Sequence, residues 1–120
     1  MKKICLSILF GLMLSGASAH ATRVLEILER SHELALADVT LPQSSGGAIS
    51  FKACSSCVRE YMSVNGSTRY FLGGQAISLT QLTQEVNRIR LAAATLNRTM
   101  VVLHYDADDD VATRIRIMTL

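Results

Sequence analysis

Cys54-Ser55-Ser56-Cys57 constrains this chain more than any other stretch, because joining the two sulfurs closes a four-residue ring and bends the backbone there. A short β-like run, Ile49-Ser50-Phe51-Lys52-Ala53, leads into it, and Val58 to Val64 leads out. These two cysteines are the only ones outside the N-terminal leader, so one intramolecular pairing is open to them. A redox site of the thioredoxin kind wants a helix after the motif and a proline opposite. Here a strand-like run follows, and the single proline, Pro42, lies upstream. Haem attachment needs His after the second Cys, where Val58 stands. A zinc site needs two further ligands, and His32 and His104 stand at no recognised spacing. The expectation is a structural disulfide with no cofactor and no metal. A thiol–disulfide redox protein using the same pair is the alternative.

The compartment follows from the first residues. Lys2 and Lys3 precede an apolar core, Ile4 to Leu14, which is short of the roughly 20 residues a spanning helix needs. Ala17-Ser18-Ala19 and Ala19-His20-Ala21 both suit a signal peptidase. Residues 1–21 are therefore read as a cleavable signal peptide, with cleavage after Ala19 or Ala21. The expected location is the periplasm, an oxidising space in which a disulfide forms, with no stable membrane insertion after cleavage.

Removing the leader also removes two of the twelve basic residues and none of the ten acids. The mature chain is close to neutral, so the basic isoelectric point is no nucleic-acid footprint. Tryptophan is absent and aromatic residues are few, which is poor material for stacking bases or sugars.

Residues 22–37 carry Val24, Leu25, Ile27, Leu28, Leu34 and Ala35 on one half of a helical wheel and Glu26, Glu29, Arg30 and Glu33 on the other. That spacing predicts an amphipathic helix. Pro42 and Ser44-Ser45-Gly46-Gly47 then predict a flexible linker, so 22–47 is expected to be only loosely attached. Asn65-Gly66 between two β-like runs predicts a two-residue type I′ hairpin, with Tyr61 opposite Tyr70 and Met62 opposite Arg69. Ser78 and Gln81 match a capping box, and Leu79, Leu82, Val86, Ile89, Ala93 and Leu96 form an apolar stripe behind it. Met100-Val101-Val102-Leu103 reads as a strand covered on both faces, while Val111 to Met118 alternates. The predicted fold for residues 48–120 is α+β, with about five strands in the order β-β-β-α-β-β, one mainly antiparallel sheet and one core-packed helix.

Chemistry-bearing residues are few. Arg69, Arg114 and Arg116, with Arg88 as a fourth, lie on predicted ordered elements and would suit an anionic ligand or an acidic partner. Asp106, Asp108 and Asp110 alternate like the start of a calcium loop, but Val111 and Ile117 stand where such a loop needs Gly and Glu. A solvated turn is the expected role. His104 and Asp106, two apart, would share a strand face, yet no nucleophile accompanies them.

Taken together, Cys54-x-x-Cys57, Thr68-Arg69-Tyr70, Ile77-Ser78-Leu79, Val102 to Asp106 and Ala112 to Ile115 resemble small, uncharacterised exported proteins of proteobacteria. The likeness spans about residues 49–120 and implies no activity. Gly74 to Leu79 with Leu82, and Val101 to Asp106, also resemble the periplasmic domain of the ExbD and TolR proteins. The chain lacks their spanning anchor with its intramembrane acid, so that likeness implies only a local β-α-β shape. The function expected from all of this is a non-enzymatic binding or accessory module. Its partner would be an unknown protein or a small anionic ligand in the periplasm. A weak metal- or anion-binding module is a further alternative.

Overall fold

A computed structural model describes residues 29–120. The expected leader, residues 1–21, and the first part of the expected N-terminal helix, residues 22–28, lie outside the described residues.

From Glu29 onward the expected helix is not formed. Glu29–Ala35 is instead strand β1, and a 3-10 turn, Leu36–Asp38, joins it to the short β2, Val39–Thr40. His32, Leu34 and Leu36 recur every second residue in His32-Glu33-Leu34-Ala35-Leu36, and Leu34 and Leu36 are buried while Glu33 and Ala35 are exposed. The period-two signal therefore wins over the helical one, because pairing with a neighbouring strand satisfies the backbone and buries those leucines together. That neighbour is β7, Thr99–Asp106, which meets β1 antiparallel along all seven residues, from Glu29 opposite Asp106 to Ala35 opposite Met100. The segment is thus an integral strand rather than a loosely attached arm.

β3 (Ala48–Lys52) and β4 (Arg59–Ser63) form an antiparallel hairpin across the cysteine ring. β5 (Arg69–Leu72) and β6 (Gln75–Ile77) form another, turned by Gly73-Gly74. Gly73 has φ +61, a conformation that favours glycine. Helix α1 spans Leu79–Arg90, a single-turn α2 spans Ala93–Leu96, and β8 spans Val111–Thr119. The eight strands make one mixed sheet, richer in strand than the expected five-stranded one. The three strands not expected are β1, which carried the helical wheel, and β2 and β6, which are only two and three residues long.

The expected Asn65-Gly66 hairpin is also absent. β4 and β5 do not pair with each other; both run parallel to β8 and share one of its edges. A type I′ turn needs positive φ at both central residues, and Gly66 does not adopt it. Asn65 sits one place earlier, at the first position of a turn closed by Thr68 N–H donating to the Asn65 carbonyl (3.1 Å). Its side chain accepts from the Ser67 N–H at 2.8 Å. The chain jogs sideways here and continues in the same direction. Thr68 bridges the gap, its hydroxyl donating to the Ala112 carbonyl (2.7 Å) and accepting from the Asn65 N–H (3.0 Å).

Helix α1 begins with the predicted capping box: Gln81 N–H donates to Ser78 Oγ (3.1 Å), and Ser78 N–H donates to Gln81 Oε1 (3.0 Å). It stops at Arg90 rather than running on to Leu96. Its buried side chains, Leu82, Val86 and Ile89, pack on the same core as Leu34, Val101, Leu103, Ile115 and Ile117. At its C-terminal end Arg90 donates to the Val39 carbonyl (2.7 Å), tying the helix to the β1–β2 corner. The sheet curls around this core. β1 and β3 are far apart in strand order, yet the His32 and Phe51 rings come within 5.3 Å.

Helix α1 therefore covers one face of the β1-β7-β8-β5 sheet, and no helix among the described residues covers the other, the open face. Val86 is 2 % exposed on the covered side. Val86→Asp places an unpaired charge there and is expected to cost several kcal/mol, enough to abolish folding of so small a domain. Far-UV circular dichroism of the variant checks this; a cooperative native melt would contradict the assigned helix face.

Candidate functional site

The open face is built by alternation along β8. Ile115 and Ile117 are fully buried, so Arg114 and Arg116 between them project to the uncovered side. The parallel register sets Arg69 beside Arg114 and Phe71 beside Arg116. All three arginines expected to contact an anion or partner thus stand on one face, although β6, both helices and β7 separate Arg69 from Arg114 in the sequence. Arg88 is not with them. It lies on α1, on the helix side of the sheet, and forms an ion pair with Glu85.

Two of the arginines share an aromatic platform. The Arg116 and Arg69 guanidinium carbons lie 5.0 Å and 5.4 Å from the centroid of the Phe71 ring. Such contacts hold a guanidinium in place without neutralising it. Neither arginine has a carboxylate partner among the described residues, and Arg116 Nε is buried without a hydrogen-bond partner.

The third arginine is held differently. A bulge in β8 makes Tyr105 face Ala112 and His104 face Arg114, leaving Thr113 as the extra residue. This breaks the alternation expected from Val111 to Met118: Ala112 and Ile115, three apart, are both buried. It also lets two consecutive side chains reach Glu29 at the start of β1. Thr113 Oγ1 donates to Glu29 Oε2 at 2.7 Å, and Arg114 forms an ion pair with Glu29 Oε1.

Partial burial pushes the Glu29 carboxyl up, but hydrogen bonds from Thr113 and Arg114 and the Arg114 charge outweigh it, so its pKa falls below the ordinary range. His104 Nδ1 lies 3.7 Å from Glu29 Oε1 and 3.5 Å from Arg114 Nη2. Burial first, and then the Arg114 charge, lower the imidazole's pKa despite Glu29. His104 is accordingly neutral at neutral pH, and Arg114 is the cation that holds Glu29.

The remaining candidates have structural roles. Asp106 does not orient His104; its side chain accepts from the Asp108 N–H (2.8 Å) and shapes the β7–β8 turn. Asp110 closes that turn at φ 53. No group of three or more His, Cys, Asp and Glu residues suited to a metal occurs among the described residues. His32, which stands at no recognised metal-ligand spacing in the sequence, stacks on Tyr105 with centroids 5.1 Å apart. Cys54 and Cys57 stand at disulfide distance, Cα atoms 5.0 Å apart, at the exposed tip of the β3–β4 hairpin. Cys57 N–H donates to the Cys54 carbonyl (3.1 Å), and β4 rather than a helix follows.

Comparison of the chain with protein-family models, curated proteins and solved structures finds no match. The geometry of the open face therefore carries the functional reading. Sequence reasoning missed Glu29 and Phe71 as members of it. The spacing Arg69-x-Phe71 and Arg114-x-Arg116 puts each pair on one strand face, but the parallel register that joins them has no local signal.

Two outcomes follow. Replacing Cys54 and Cys57 together by Ser is expected to lower stability by about 2 kcal/mol, the chain-entropy value for so short a ring, with the sheet unchanged; chemical denaturation measures it. The pH dependence has a definite sign. Glu29 and His104 are both depressed, so each contributes stability that is present above its unfolded-state pKa and lost as pH falls through its folded value. Stability is expected to decline below the ordinary histidine value of 6.5 and again below the ordinary carboxyl value of 4.5. The change is small because Glu29 is more than a third exposed. In thermal melts, His104→Gln should remove the upper part of the decline and leave the lower part.

Proposed function

We propose that the chain is an exported, non-enzymatic binding or accessory module that receives anionic groups on its uncovered sheet face through Arg69, Arg114 and Arg116. One observation carries the reading. Among the described residues, three arginines converge on a sheet face that no helix covers, and only Arg114 has a carboxylate partner. A surface guanidinium normally finds an acid nearby or stands alone in water; two stacked on one ring are fixed and remain uncompensated. Export rests on the leader, residues 1–21, and fits a hairpin whose cysteines stand at disulfide distance.

The alternative, a thiol–disulfide protein, draws on the exposure of Cys54. The chain offers that cysteine no following helix to stabilise a thiolate, so the structural role is preferred. The reduction potential of the pair separates the two, since a structural bridge resists glutathione.

The binding test is titration of the mature chain with a poly-glutamate peptide and, separately, inorganic pyrophosphate at low and high salt. Wild type is expected to bind at least one of them in a salt-sensitive manner, and Arg69→Ala/Arg116→Ala to bind about tenfold or more weakly. Equal binding by the double variant would sink the assignment of the face.

A further inference from the structure

The open face is charged unevenly. One row crosses four adjacent strands in the order Glu33, Val102, Arg116, Phe71. Glu33 is exposed on β1, and no ion pair involves it among the described residues. Arg116 leans the other way, over Phe71, where Arg69 joins it. Acid thus occupies one end of the row and base the other, with Val102 between. The neighbouring row adds Met100 and Met118, the latter 37 % exposed. The principal cavities of the described residues lie elsewhere, none lined by Arg69, Arg114 or Arg116. A flat face with apolar and charged stripes suits a broad partner better than an enclosed small anion.

We infer that the carboxylate this face receives is Glu33 of a second copy of the chain, docked sheet to sheet. The inference rests on the reading of the arginine face above and narrows it to one partner. A two-fold axis lying along the strands between β7 and β8 carries β1 of one copy over β5 of the other, and β7 over β8. Each Glu33 then stands above the partner's Phe71, within reach of Arg69 and Arg116, and each Val102 meets the aliphatic stem of an Arg116. Stacked sheets sit about 10 Å apart, a gap that glutamate and arginine span together. The contact is isologous, so the same acid–base match is made twice and the assembly closes at two.

Sedimentation velocity of the mature full-length chain, from low-micromolar to millimolar concentration, tests the inference. A dimer is expected that dissociates as salt is raised. Glu33→Arg and Arg116→Glu should each be monomeric, and the two combined should dimerise again. If Arg116→Glu fails to fold, Glu33→Arg, on an exposed edge strand, is read alone against wild type. A wild type that stays monomeric throughout, or a dimer that neither reversal weakens, overturns the second-copy assignment. A monomer that still binds poly-glutamate through Arg69 and Arg116 leaves the arginine face with a different acidic occupant; one that binds neither removes both readings.

Discussion

Strand β8 has two edges, and the fold depends on how they are filled. One edge is taken by β7 over nearly its whole length. The other is divided, β4 meeting it at Val111 and β5 from Arg114 to Ile117. A divided edge leaves a gap where one neighbour ends and the next begins, and a gap in a ladder leaves backbone groups unpaired. Thr68 fills it by supplying a side-chain donor to the Ala112 carbonyl. Because β4 and β5 run the same way, the hairpin they would otherwise have made is excluded. The β3–β4 hairpin then extends the sheet on one side of the jog, and β5–β6 on the other.

The bulge at Thr113 is the second consequence of crowding around β8. An extra residue changes which side of the strand each later residue faces. Before the bulge, Ala112 is the buried residue; after it, Ile115 and Ile117 are. Without the extra residue, a strand with Ala112 inside would put Arg114 and Arg116 inside as well. The bulge thus lets one strand serve the core and keep its arginines out. It also brings Thr113 and Arg114 together onto Glu29, which ties the start of the edge strand β1 to the centre of the sheet.

What was legible in the sequence divides along the range of the interactions. The capping box of α1, its buried stripe and the alternation of Ile115 and Ile117 depend on residues close in the chain, and each was readable. The fate of Glu29 to Leu36 was not. The stretch holds a helical wheel and a period-two pattern at once, and β7, some seventy positions away, selects between them. Asn65-Gly66 carries a strong local hairpin signal that was overridden because β8 offered both flanking strands a better partner. The arginines were individually visible, but their convergence needed a parallel register between β5 and β8, which no short-range pattern encodes.

The open face also explains why the arginine pair sits on phenylalanine rather than beside an acid. Three guanidiniums on neighbouring strands repel one another, and pairing each with an acid would consume the charge. Glu29 neutralises one of them, Arg114, at the edge nearest β1. Phe71 offers the other two a ring face, which attracts cations without taking up their terminal Nη donors. A fixed guanidinium loses less side-chain entropy when it meets a carboxylate than a mobile one does. The face therefore combines one satisfied cation, which ties β1 to β8, with two held on a ring, whose charge meets no carboxylate among the described residues.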